Sequence, residues 1–315
     1  MSVSIMASQG LKKTSTVIMN KVKTILVAAL ALVLAASCNK ADTTPTEEVA
    51  VNYSVNVPMT KALGEGTAVN KVWYAVYRTD GSLLKNYQPV EFKDGKANCQ
   101  VVMMRGQSYK VLFVAQHYEG ADAAYEITPA TATLTMPTSA VANSDNYDIF
   151  TFVDDVVNYD GTPTDAVVLE RRVAQVNFSC NSEDWANASS LGMLPTHSSV
   201  TLASVPKSFD LLAGTPSAET VSVTYAKSAR PSADMQLATV FCFVGASDSS
   251  SDFTTDATLS LYTSEDQVEA VRTLTVNNLP VKSNYKTNVN GNIMTGSVNY
   301  NITIDPVGTE TNHPL

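Results

Sequence analysis

The sequence predicts an all-β protein built as two β-sandwich domains, and three observations carry that expectation. Short runs rich in Val, Thr, Tyr and Phe alternate apolar with polar residues at period 2. Turn signals recur about every eight to twelve residues. Beyond Cys38 no long segment repeats at the period of a helix. A chain of 315 residues can hold two cores of about 100–150 residues each. The expected divisions are a leader over 1–37, a tether over 38–50, a first sandwich over 51–166 and a second over 167–315.

The leader is a secretory signal. Lys21 and Lys23 are followed by the unbroken apolar run 25–34 and then by Leu34-Ala35-Ala36-Ser37-Cys38, a lipobox. Small residues let a peptidase grip an extended backbone, and the Cys38 thiol receives the diacylglycerol. Ten apolar residues in a helix reach across only about half of a ~30 Å hydrocarbon layer, so this is not a spanning helix. Residues 1–18 do not suit such a signal, which puts the expected translation start at Met19. The polar, Thr-rich segment 39–48 cannot bury a core and reads as a tether that holds the folded part off the outer membrane. Within it Asp42-Thr43-Thr44 resembles the short O-glycosylation motif of secreted Bacteroidetes proteins, with Thr43 as the acceptor.

The folded part opens at 51–57, where Val51, Tyr53, Val55 and Val57 share one strand face and Asn52, Ser54 and Asn56 the other. Residues 72–77 are apolar on both faces, as in a central strand, and Asp80-Gly81 turns them into 83–87. Further strands are expected with Ala97, Cys99, Val101 and Met103 on one face, with Tyr109, Val111, Phe113 and Ala115 on one face, and over 147–153. After turn signals at 160–163, the strand 173–180 opens the second sandwich with Ala174, Val176, Phe178 and Cys180 on its dry side. Strands over 200–205, 221–225, 237–244, 258–262, 268–276 and 285–289 follow, with no helix among them. The chain closes on Val298, Tyr300, Ile302 and Ile304 alternating with Asn299, Asn301, Thr303 and Asp305.

Charge and chemistry exclude several classes. Setting aside Lys12, Lys13, Lys21 and Lys23, the only charges before Cys38, takes the formal charge from −9 to −13, which excludes nucleic acid as a partner. His117, His197 and His313 stand apart, no Gly-rich phosphate loop occurs, and the neighbouring carboxylates Asp154-Asp155 and Glu183-Asp184 read as solvated surface. No enzyme, metal or cofactor is expected. Arg171-Arg172 reads as pairing with carboxylates. Cys99, Cys180 and Cys242 lie on apolar faces and read as small buried hydrophobes without disulfides.

Four stretches together resemble the Bacteroidales fimbrillin family, the lipid-exported subunits of type V pili. They are the lipobox at Cys38, GQSYKVLFVA at 106–115, VLERRVAQV at 168–176 and NYKTNVNG at 284–291. The resemblance implies two transthyretin-like β-sandwiches, residence at the outer membrane surface in a fimbrium, and other fimbrial subunits as partners, each filling a groove on its neighbour. It also implies a role in adhesion to host or bacterial surface ligands. Members are cleaved after an arginine in the loop behind the first strand, but the loop here reads MTKALG at 59–64. Cleavage is then expected between Lys61 and Ala62, or at Arg78, or not at all, the last leaving an anchor or accessory subunit. The strand through Val298, Tyr300, Ile302 and Ile304 is either the donor for the next subunit or the last strand of its own sheet. A surface glycan-binding lipoprotein is the alternative, for which Trp185 is the one aromatic read as an exposed platform.

Overall fold

Alternating segments close into strands, and the apolar face of each strand decides which of two cores it joins. The computed structural model describes residues 47–57, 68–162, 166–233, 235–244 and 253–306. The first half contributes β1 (Glu48–Asn56), β2 (Lys71–Tyr77), β3 (Leu83–Asn86), β4 (Lys96–Met104), β5 (Tyr109–Gln116) and β6 (Phe150–Val156). The junction adds β7 (Val167–Val168) and β8 (Glu170–Arg171). Then come β9 (Val173–Cys180), helix α1 (Ser182–Ser190), β10 (His197–Pro206), β11 (Thr220–Ala229), β12 (Gln236–Phe243), β13 (Phe253–Tyr262), β14 (Arg272–Val281), β15 (Tyr285–Asn292) and β16 (Asn299–Pro306). The all-β class expected from the sequence is the one observed.

Four main sheets form. One runs β7-β1-β4, a second β8-β6-β5-β2-β3, a third β11-β10-β13-β14 with Ser139–Val141 beside β11, and a fourth β12-β9-β15-β16. The first core lies between the first two sheets, where Val51, Tyr53, Val55, Cys99, Val101 and Met103 meet Tyr74, Val76, Val111 and Phe113. The second is centred on the last two sheets. β2 and β5 serve both. Trp73, Ala75, Tyr77, Leu112 and Val114 belong to the second core, while the alternate residues Val72, Tyr74, Val76, Val111 and Phe113 belong to the first. That sharing is the physical reason why 72–77 is apolar on both faces.

Three expectations are corrected. Helix α1 stands where no helix was read, because its nine residues are too few for periodicity to show. Its start is nevertheless signalled: the Asn181 side chain caps it by accepting from the Asp184 N–H, and Glu183 and Asp184 place negative charge in the first turn. The strand expected over 268–276 begins at Arg272, and Val268 is 86% exposed. Short strands Glu126–Thr128, Thr133–Thr135 and Ser208–Asp210, which pair with one another, were not read at all.

Arg171 and Arg172 do pair with carboxylates. Arg171 donates to both oxygens of Asp148, Nε at 2.7 Å and Nη2 at 2.8 Å, with both side chains buried, and Arg172 lies 3.3 Å from Glu170. The three described cysteines are free and buried, and burial pushes each thiol up to about 12.

Candidate assembly site

β1 is the middle strand of the first sheet. It pairs antiparallel with β4 along its whole length, from Glu48 opposite Met104 to Asn56 opposite Lys96, but meets β7 only at Val55 and Asn56. Its inner face is dry: Val51, Tyr53, Val55 and Val57 are all under a tenth exposed. The Tyr53 ring lies 4.9 Å from Phe113, centroid to centroid, and its hydroxyl donates to Asp154 Oδ2 at 2.9 Å. Burial holds the Asp154 carboxyl above its ordinary range, the Tyr53 hydroxyl pulls it back, and the Asp155 charge adds to the upward shift. On the outer face Gln100 Nε2 donates to Asn52 Oδ1 at 3.2 Å. Without β1 the β4 edge and an apolar floor of Tyr74, Val76, Val111 and Phe113 would stand open.

β16 is placed differently. It pairs with β15 over eight residues, Tyr285–Asn292, and is the edge strand of its sheet. Tyr300 and Ile302 are half-buried against the second core, whereas Val298 and Ile304 are 43% and 37% exposed. Thus Tyr300, Ile302 and Ile304 of the expected donor face are on the strand, Val298 lies just before it, and only Tyr300 and Ile302 find cover in their own sheet. Gly291, directly opposite Tyr300, allows the two backbones to approach: a Cβ there would lie 2.6 Å from Tyr300 Cα and closer still to the Asn299 carbonyl oxygen.

Cys38, Thr43, Lys61 and Ala62 lie outside the described residues. Arg78 is exposed in the β2–β3 turn, where its N–H donates to the Ser82 carbonyl and its guanidinium to Ser82 Oγ. Trp185 is on α1, half-buried, with the Arg230 guanidinium 4.7 Å above its ring, so that face is already occupied by a cation. A cavity of about 310 Å³ is lined by Trp73, Gln116, Tyr118, Tyr125 and Glu126 among others, but Gln116 spends its amide on the Tyr125 backbone. Among the described residues no cluster of His, Cys, Asp and Glu could hold a metal ion, and no helix is long and apolar enough to cross a membrane.

Two carboxylates read as solvated are not. Asp154 is bound by Tyr53, and Asp184 is buried, accepting from the N–H groups of Ile293, Met294 and Thr295 and from the Thr295 hydroxyl at 2.6–2.8 Å. Burial alone would raise Asp184, but the Thr295 hydroxyl and the three amides outweigh it and hold its carboxyl below the ordinary value.

Residues 42–309 match a protein family described as "Family of unknown function (DUF6562)". The chain belongs to this family. No curated protein matches the sequence. Among solved structures, this member of the family is similar to a fimbrial assembly protein from Parabacteroides distasonis, at 14% identity and TM-score 0.44, over 83% of this chain and 97% of that one. It is also similar to the tip fimbrial protein Mfa3 from Porphyromonas gingivalis, solved with a C-terminal truncation, at 10% identity and TM-score 0.48, over 82% of this chain and 100% of that one.

Proposed function

We propose that this chain is a structural or accessory subunit of a cell-surface fimbria, lipidated on Cys38, exported to the outer membrane and assembled by strand exchange in support of adhesion. The observation that carries the reading is the contrast between β1 and β16. β1 is the middle strand of its sheet, held along one side by β4 and by only two residues of β7, so its release opens a slot between them, and β16 is an edge strand available to fill it. Among the processing positions, Lys61 suits this better than Arg78. A cut at Arg78 would sever β2 along with β1, and β2 supplies both cores.

Deleting residues 297–315 tests the proposal. Surface protein from cells carrying the deletion is expected to lose the high-mass ladder on unboiled gels while the monomer stays soluble. Polymers that persist without the segment would remove β16 as donor, and an insoluble monomer would assign it to its own sheet alone.

A further inference from the structure

β4 is paired on one side only. Toward β1 it forms the antiparallel ladder, while Lys96, Asn98, Gln100, Val102 and Met104 turn their backbone N–H and C=O groups the other way, where the first sheet ends. A nine-residue edge without a bulge, with Val102 48% exposed beside it, is a template for another strand. Yet most of it is already occupied. The Val102 N–H donates to the Tyr87 hydroxyl and the Met104 N–H to the Tyr109 hydroxyl, both at 3.1 Å, and the Tyr74 hydroxyl donates to the Gln100 carbonyl at 3.4 Å. At one end Lys96 exchanges both of its backbone groups with Lys93, and at the other the Met104 carbonyl accepts from the Gln107 N–H. Asn98 alone of the five has neither group held in this way among the described residues. The three tyrosines all come from the second sheet: Tyr74 on β2, Tyr109 at the start of β5, and Tyr87 just after β3. Tyr74 and Tyr109 are buried in the first core, and Tyr87 is half-buried against it, stacked on Tyr74 with centroids 4.6 Å apart. Filling a core needs no hydroxyl. Three hydroxyls that fall on the successive outward residues 100, 102 and 104 of one edge do what phenylalanine could not.

We propose that Tyr74, Tyr87 and Tyr109 close the outer edge of β4 against pairing with the same edge of a second copy of this chain. Their rings fill the space that a neighbouring strand would need, about 4.8 Å away, and their hydroxyls bind the groups it would bind. The excluded partner follows from the edge itself, which is self-complementary: antiparallel pairing about Gln100 sets Val102 opposite Asn98 and keeps the two Lys96 charges at opposite ends. Tyr87 is the member that can be removed, since it only packs against the core that Tyr74 and Tyr109 help to fill. The edge is shut whether or not β1 is exchanged. With β1 released, β4 would stand open on its slot side alone, so that one strand can be added and a second cannot.

Two substitutions of Tyr87 in the purified protein separate the ring from its hydroxyl. Tyr87→Phe keeps the ring in place and removes the acceptor, so the Val102 amide is expected to exchange its hydrogen about tenfold faster while sedimentation velocity still finds a monomer. Tyr87→Ala removes both. A dimer should then form whose share rises with concentration, and in it exchange at Asn98, Gln100 and Val102 should slow again while the β1 amides are unchanged. Adding Val102→Lys, which puts a charge into the new interface, should return the monomer. A Tyr87→Ala protein that stays monomeric at every concentration overturns the proposal, and so does a dimer in which the β4 amides remain unprotected, because it is joined elsewhere. Wild-type exchange at Val102 in Tyr87→Phe would remove the hydroxyls from the closure. Each outcome is read on uncut protein, so none of them turns on whether subunits exchange strands.

Discussion

At the scale of single residues, the polar groups that matter here are those whose partners are far away in sequence. Asp184 looks like half of a solvated acidic pair, yet its four donors come from residues 293–295, and nothing local announces them. The same holds for Asp154, bound by a tyrosine in β1. Apolar assignments fared better, since period-2 alternation is local: Cys99, Cys180 and Cys242 are all buried on the faces expected of them. The Asp184 cluster gives a direct test. An amide can accept at only one of the two oxygen positions, so Asp184→Asn leaves at least one buried backbone donor unpaired and should cost about 1.5–3 kcal/mol of stability at neutral pH by urea denaturation. The sign with pH follows from the lowered carboxyl. Its contribution is complete above the unfolded value of about 3.9 and fades as the pH falls from there to the folded value. The gap between wild type and variant should therefore narrow in acid, and a gap that widens below pH 4 would refute the assignment.

At the scale of elements, legibility depended on length. β1, β4, β9 and β16 each alternate over seven or more residues, β5 carries a continuous apolar run, and all five are readable. The three-residue strands over 126–141 offer one or two alternations and were not, because their pairing, not their composition, makes them strands. α1 shows only its cap and acidic first turn. For β16 the pattern was plain but its station was not: alternation says which side is dry and is silent on whether the strand ends up central or at an edge. Gly291 is the point where the β15–β16 pair can be loosened alone. Gly291→Ala would drive a methyl group into the backbone of Asn299 and Tyr300, so the first half of β16 should lift from β15 while β15 keeps its parallel pairing with β9. Hydrogen exchange is expected to accelerate across residues 299–302 and remain slow in β9, with a loss of about 1–3 kcal/mol. Uniform acceleration through the fourth sheet would show that β16 is integral to it.

At the scale of the molecule, two cores share the β2 and β5 strands, and that arrangement limits what can be removed. The two-faced character of 72–77 is legible in the sequence but its cause is not, since which core each face joins is settled by strands far along the chain. β1 touches only the first core, and its four inner side chains, at about 1.5–3 kcal/mol for each large one buried, make a gross contribution on the order of 6–12 kcal/mol before ordering costs. A chain cut in the 58–67 segment should therefore stay folded with the β1 fragment held without a covalent link, because nine paired residues and four buried side chains persist when one peptide bond is broken. The fragment leaves a slot that its own sheet cannot close, so release should be slow in isolation and faster when a competing strand is present. A protease site placed at 59–62 allows the measurement: native mass spectrometry should find the fragment retained after cleavage, and adding an excess of uncut protein should displace it at a rate that rises with the concentration added. Immediate loss of the fragment, or collapse of the cut chain, would mean that β1 is held by its connection to β2 rather than by the slot.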